Sequence, residues 1–389
     1  MQWRANDILK FNCSQQRVEL KSKLVGLALA IKKVFPVISN SLSKIFGKEA
    51  ILLERAEIFA DATSFQRTAI ILSALKIGVF DYLDQNPGTP SALVASALHI
   101  NPISTERLLR TLEALGYTKS SQNNQIMGYR NSQITSNYLV RQSPNYLGDY
   151  YNIIDKTWSA WHSLDVTIKA GSSNEQMDLF DGDKETLYEY YDFSNKYLKE
   201  PVRELFKKIS LENVNRMITG EVGITFIGEL LRCKPDVEFV MAGFEEQIEF
   251  LERLLLKYPL PKAPEEIATS LRGNAVGDKW GTIEEYDLVF LFRKLSYSDY
   301  GIQFLKKSFQ VLRPGGMVIV LEPTTDSFVP SPSFLPELEI MDLLIGGVKA
   351  PPLYSTQQII NLLRQVGFMQ TEVLSTHQGS FVFVVGRKQ

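Results

Sequence analysis

A chain of 389 residues, 44% hydrophobic and 22% charged, has room for about two domains and enough apolar residues to bury large cores. A formal net charge of −2 excludes a bulk polycation, and two cysteines, Cys13 and Cys233, exclude a disulfide framework or a conventional zinc cluster. A reducing, cytoplasmic setting is expected, since the longest apolar run near the start, Leu24–Ile31, falls far short of the roughly 20 residues that span a bilayer.

The first 50 residues form a basic helical extension, with nine Lys/Arg against Asp7, Glu19 and Glu49, a local excess of +6 that leaves −8 for the remainder. Within it, residues 17–50 read as a helix interrupted at Pro36, with Val18, Leu24, Val25, Ile31, Val34 and Phe35 set among lysines. A basic amphipathic helix can make weak contact with an anionic membrane surface; the plainer reading is packing on a partner subunit or on the following domain.

Residues 51–145 are more regular. Ala56–Leu75 is a helical run, Val79–Leu83 begins another, Pro87–Pro90 is a turn, and Ser91–Leu98 is a short helix. Thr105 is placed as the cap of Glu106–Leu115, and a polar hairpin follows at Ser120–Gln125. Helix–turn–helix–hairpin is a winged-helix pattern, which raises DNA binding through Arg107 and Arg110. The hairpin tip carries no positive charge apart from nearby Lys119, and phosphate contacts need a basic face, so no nucleic-acid partner is expected.

Residues 146–210 form a helical linker rich in aromatic side chains: Tyr146, Tyr150, Tyr151, Trp158, Trp161, Tyr188, Tyr190, Tyr191, Phe193 and Tyr197. Such stripes are core more often than ligand site, yet many tyrosines, each with a polar end, suit a pocket for a flat, partly polar molecule.

Residues 211–389 read as alternating strands and helices. Arg216–Thr219 is followed by a glycine turn and a helix to Cys233; Val237–Met241 and Asp287–Phe292 are further strands. Helices are expected at Glu245–Tyr258, Tyr300–Leu312 and Thr356–Val366. The turn Arg313–Gly316 leads into the strand Met317–Leu321, and Glu372–Leu374 and Phe381–Val385 close the sheet as antiparallel strands. The fold class is α/β, with a mostly parallel sheet covered on both faces.

Four segments carry a family likeness: Tyr286–Phe292; Phe304-Leu-Lys-Lys followed by Leu312-Arg-Pro-Gly-Gly-Met-Val-Ile-Val-Leu-Glu322-Pro; Leu362–Phe368; and Gly277-Asp-Lys-Trp280. In this order, from about residue 55 onward, the chain resembles class I small-molecule O-methyltransferases, in which a winged-helix dimerisation domain precedes a Rossmann-like methyltransferase domain. The resemblance implies a homodimer, a small-molecule substrate and S-adenosylmethionine (SAM) as methyl donor. It implies cofactor contacts at Gly220, Glu221, Gly223, Ala242 and Asp278, and a substrate site at Trp158, Trp161, Glu322, Met341 and Asp342.

The motifs for that chemistry are altered. Ile218 takes the acidic position of the first strand, and Glu221 would set a carboxylate beside the cofactor's own. Ala242 replaces the acidic residue that holds the ribose. Ser296 or Tyr297 stands where the family has a histidine base, and neither hydroxyl is a base at neutral pH without activation. His162, Arg293, Ser296 and Tyr297 are the candidate catalytic groups. The reading that follows is a divergent homologue acting on a small aromatic or polyketide-like natural product without SAM, by cyclisation, pericyclic rearrangement or elimination, with no cofactor and no metal. The alternatives are SAM-dependent O-methylation of a small hydroxylated metabolite, and a non-catalytic binding or scaffold protein.

Overall fold

The computed structural model describes residues 48–123, 126–171, 184–219, 224–243, 253, 268–272, 280–295, 301–327, 334–346, 352–375 and 381–389. The described residues up to Ser73 form one compact unit and those from Ala74 onward belong to a second. The first is helical, lying within α1 (Lys48–Ile77), which exposes Ile58, Phe59 and Phe65.

The second unit opens with α2 (Val79–Gln85), α3 (Ser91–Ala97) and α4 (Pro102–Ala114), followed by the hairpin β1 (Thr118–Asn123) and β2 (Ile126–Asn131). The expected winged-helix order is present. The cap of α4 is Asn101, whose side chain accepts the N–H groups of Ile103 and Ser104, both at 3.0 Å. Thr105 lies inside the helix, buried, with its hydroxyl donated to the Asn101 carbonyl at 2.8 Å. Pro102 explains the difference: proline suits the first helical turn, where its missing N–H costs nothing, so the cap falls one residue earlier. Next come α5 (Gln133–Tyr138), α6 (Gly148–His162), α7 (Leu164–Ala170) and α8 (Lys184–Phe206).

The sheet begins with β3 (Arg216–Thr219), followed by α9 (Ile224–Cys233), β4 (Glu238–Gly243), β5 (Ala268–Arg272), β6 (Tyr286–Phe292), α10 (Gly301–Val311) and β7 (Leu312–Glu322). It is completed by α11 (Phe334–Gly346), α12 (Thr356–Val366), β8 (Gln370–Ser375) and β9 (Val382–Arg387). Among the described residues its strand order is β5-β4-β3-β6-β7-β9-β8, parallel except for β9, which runs antiparallel to both neighbours. The edge strand β5 goes unread in the sequence because Ala-Thr-Ser-Leu-Arg lacks a β-branched apolar run. Arg313–Gly316 is a kink inside β7: Leu312 pairs with Tyr286 and Met317 with Leu288, and Gly315 takes a φ of 82° there.

Two cores follow from the period-two alternation along buried strands. Met217, Leu288, Phe290, Met317, Ile319 and Leu321 face Phe226 and Leu230 of α9 and Leu198, Val202 and Leu205 of α8. Ile218, Val289, Leu291, Val318 and Val320 face Phe304 and Leu305 of α10 and Ile359 and Leu363 of α12. Phe226 stacks on Phe290 with centroids 3.9 Å apart. Ile218 is therefore a core residue, 1% exposed. No helix among the described residues is long and apolar enough to cross a membrane.

Candidate functional site

In an open parallel sheet a ligand meets the C-terminal strand ends where the strand order reverses. Here the chain runs from β3 outward through β4 and β5, then returns to β6 on the other side of β3, so the crevice lies above β3 and β6. Three groups of residues surround those strand ends.

At the start of α9, Asn195 of α8 takes the place of a local cap. The Thr225 N–H donates to Asn195 Oδ1 at 3.1 Å, and the Thr225 hydroxyl lies 2.8 Å from the Asn195 carbonyl oxygen and 2.9 Å from Oδ1. Because an N–H can only donate, the atom facing it must be the amide oxygen, which fixes the amide's orientation. The other end of that amide, Nδ2, is buried and has no hydrogen-bond partner among the described residues, on a residue 3% exposed. An unmet buried donor costs about 1–3 kcal/mol.

After β6 the backbone turns sharply. Arg293 is 7% exposed and has a φ of 49°, an uncommon conformation for a residue with a side chain, and its N–H donates to the Leu321 carbonyl at 3.0 Å. Glu322, ending β7 and 1% exposed, accepts the Leu295 N–H at 2.7 Å and so anchors the segment that leaves β6. Burial raises the Tyr354 hydroxyl above its ordinary pKa, and the charge of Glu322 adds to this.

The third group is the aromatic wall. Tyr150 stacks on Phe193 at 4.9 Å, Phe193 on Tyr197 at 5.8 Å, Tyr197 meets Phe381 edge-on at 6.0 Å, and Phe381 lies 5.8 Å from Phe292. This column runs from α6 through α8 to the end of β6. Beside it Lys196 is gripped by Asp149 at 2.7 Å and Asp192 at 2.8 Å and lies over the Tyr146 ring at 5.5 Å. Burial raises the Asp149 carboxyl despite Lys196; burial would lower Lys196, but its bonds to the two carboxylates outweigh that and raise it. Two acids sharing one ammonium leave the cluster short of positive charge, which accounts for both directions.

Of the residues singled out in the sequence, Arg293 and Glu322 come together at adjacent strand ends. Trp158 and Trp161 are half-buried on α6, whereas His162, its last residue, is exposed. Met341 is half-buried on α11, which also contains Asp342 and packs against α7. Ala242 pairs with Leu271 of β5 at the end of β4. Gly220, Glu221, Gly223, Asp278, Ser296 and Tyr297 lie outside the described residues, as do His377, Glu245 and Glu246. Sequence reasoning missed Asn195 and Lys196, which sit in an aromatic helix without a motif. The four-residue spacing of Asp192 and Lys196 was the available signal for the second.

Residues 61–141 match the O-methyltransferase dimerisation domain. Acetylserotonin O-methyltransferase of Gallus gallus is 25% identical over 358 residues, spanning 85% of this chain and 96% of its own length. Over most of its length the chain is similar to O-methyltransferases. Its fold is that of human N-acetylserotonin methyltransferase in complex with SAM, at a TM-score of 0.72 and 18% identity over 86% of this chain and 97% of the other. Mitomycin 7-O-methyltransferase MmcR is similarly close, at a TM-score of 0.72 and 14% identity over 88% of this chain and all of the other (100%).

Proposed function

We propose that this protein is a SAM-dependent O-methyltransferase of a small hydroxylated metabolite, acting as a homodimer. The observation that carries the reading is the buried, unmatched Nδ2 of Asn195 at the sheet's switch point, in a chain whose relatives are O-methyltransferases over most of its length. The relatives lend no support to SAM-independent cyclisation or elimination, and the expectation of a chain without cofactor gives way to this reading. The dimerisation domain and the apolar residues that α1 leaves in water support self-association.

SAM, when bound, supplies an electrophilic methyl group. The chain's own residues hold and orient the reactants. Asn195 offers a donor beside α9, the Tyr150–Phe193–Tyr197 column offers ring faces to a flat substrate, and Glu322 fixes the backbone after β6. Among the described residues the histidines are His99 and His162, both exposed, so neither is placed as a buried proton acceptor. A substrate hydroxyl acidic enough to ionise unaided, an electron-poor phenol or an enol, needs no protein base, and proximity and orientation then lower the remaining barrier.

The test is transfer of a labelled methyl group from SAM to phenols and enols of graded acidity. Transfer to the acidic members is expected, with rates rising with pH through each acceptor's own pKa. A rate governed by one protein group near neutrality, whatever the acceptor, would contradict the mechanism; no transfer to any acceptor would contradict the function.

A further inference from the structure

We propose that recognition of the cofactor's carboxylate has moved from the turn after β3 to Asn195 of α8; this rests on the SAM-dependent reading above. A helix start binds anions because its first N–H groups have no partner within the helix. In α9 one of these, the Thr225 N–H, is already taken by Asn195 Oδ1, and the Thr225 hydroxyl is committed to the same residue. The bare helix end is thus partly closed to a ligand.

The same amide that closes it presents a new donor. Nδ2 is held in orientation by the Thr225 bonds to its own oxygen and is buried with no partner among the described residues. A donor fixed in this way pays little reorganisation on binding, and in a site of low dielectric its bond to an ionised acceptor is strong. The sequence supplies the motive. Glu221, in the turn itself, opposes a second carboxylate by charge, so a neutral amide reaching in from another helix is a donor that adds no repulsion.

Two substitutions and two ligands test the assignment. Asn195→Asp keeps an oxygen for the Thr225 N–H and places a negative charge at a helix start, but replaces the donor with a like charge. Asn195→Ala removes both functions. The probes are S-adenosylhomocysteine, which carries the amino-acid carboxylate, and methylthioadenosine, which shares the nucleoside and lacks that tail.

Titration calorimetry should show Asn195→Asp weakening S-adenosylhomocysteine at least tenfold, with methylthioadenosine within about twofold of the unsubstituted protein, while burial of the new carboxylate lowers the melting temperature. Asn195→Ala should weaken the same ligand about tenfold and lower the melting temperature. Unchanged S-adenosylhomocysteine affinity in Asn195→Asp would overturn the assignment while leaving the methyltransferase reading intact. Equal losses for both probes would also overturn it, because the residue would then act on the whole site. Failure of the unsubstituted protein to bind either probe would overturn the SAM-dependent reading itself.

Discussion

The two ends of the sheet use their polar groups differently. At the N-terminal edge, carboxylates are paired with backbone N–H groups and guanidinium groups, although Arg216 Nε is itself buried without a hydrogen-bond partner among the described residues. Asp287 accepts the N–H groups of Asn215 and Arg216, both at 2.9 Å, and the Arg313 guanidinium at 3.1 Å. Glu285 takes Arg216 at 2.9 Å and the Thr282 N–H at 2.6 Å. Burial would raise Glu285, but these bonds and the Arg216 charge outweigh it and hold the carboxyl below its ordinary range. At the C-terminal edge, Arg293 has a left-handed backbone, Glu322 is buried, and an Asn195 donor is unmet. Charges at the first edge pair with one another and with backbone N–H groups; at the second, Glu322 anchors the Leu295 N–H.

Substitutions at the two edges should therefore separate stability from binding. The largest effect is expected for Asp287→Ala, which strips two backbone N–H groups and a guanidinium of their acceptor. It should cost about 2–3 kcal/mol in denaturant unfolding without changing S-adenosylhomocysteine affinity. Loss of affinity at unchanged stability would break the comparison. Glu322→Ala should cost about 1–3 kcal/mol by leaving the Leu295 N–H unmet, and Glu322→Gln, which keeps an acceptor, should recover most of it. In methyl-transfer assays Glu322→Ala should lower turnover and Glu322→Gln should restore most of it if the anchored segment serves the site; unaltered turnover in Glu322→Ala would remove Glu322 from it.

Smaller effects follow from pH. Glu285 has a folded pKa below its unfolded one, so its contribution is present above the ordinary carboxylate range and is lost as pH falls through the depressed value. Glu285→Gln should cost about 1 kcal/mol at pH 7, with the difference shrinking to nothing in acid. Asp149 has the opposite sign. Its folded pKa is raised, so the stability of the unsubstituted protein relative to Asp149→Asn should decline as pH rises through that value. Parallel pH slopes for the two variants, followed by thermal melts, would show that the edge and the helical wall obey the same electrostatics after all.

Much of the fold was legible because strands buried on both faces leave an unbroken apolar signature. Asp287–Phe292 marks β6 within one residue at either end, Met317–Leu321 marks β7 beyond its kink and within one residue of its end, and Thr356–Val366 coincides with α12. β5 was illegible because a short edge strand needs little apolar content. The Thr105 cap was misplaced because Asn101 and Pro102 form a stronger start signal.

The site was harder to read. Arg293 and Glu322 stood out as polar residues ending apolar strands, and the structure sets them on neighbouring strands. Asn195 carried no signal, since its meaning arises only when α8 is laid against α9, 30 residues away in sequence. The altered turn around Glu221, read from the sequence alone, pointed to the loss of a cofactor; Asn195, which bonds Thr225 at the start of the next helix, could not be read there.

Cofactor binding is the central claim, and titration of the unsubstituted protein with S-adenosylhomocysteine tests it most directly. The account predicts saturable binding of one ligand per chain in the micromolar range or tighter, about −8 kcal/mol. Absence of any binding at millimolar ligand, with the protein folded and dimeric, would contradict it.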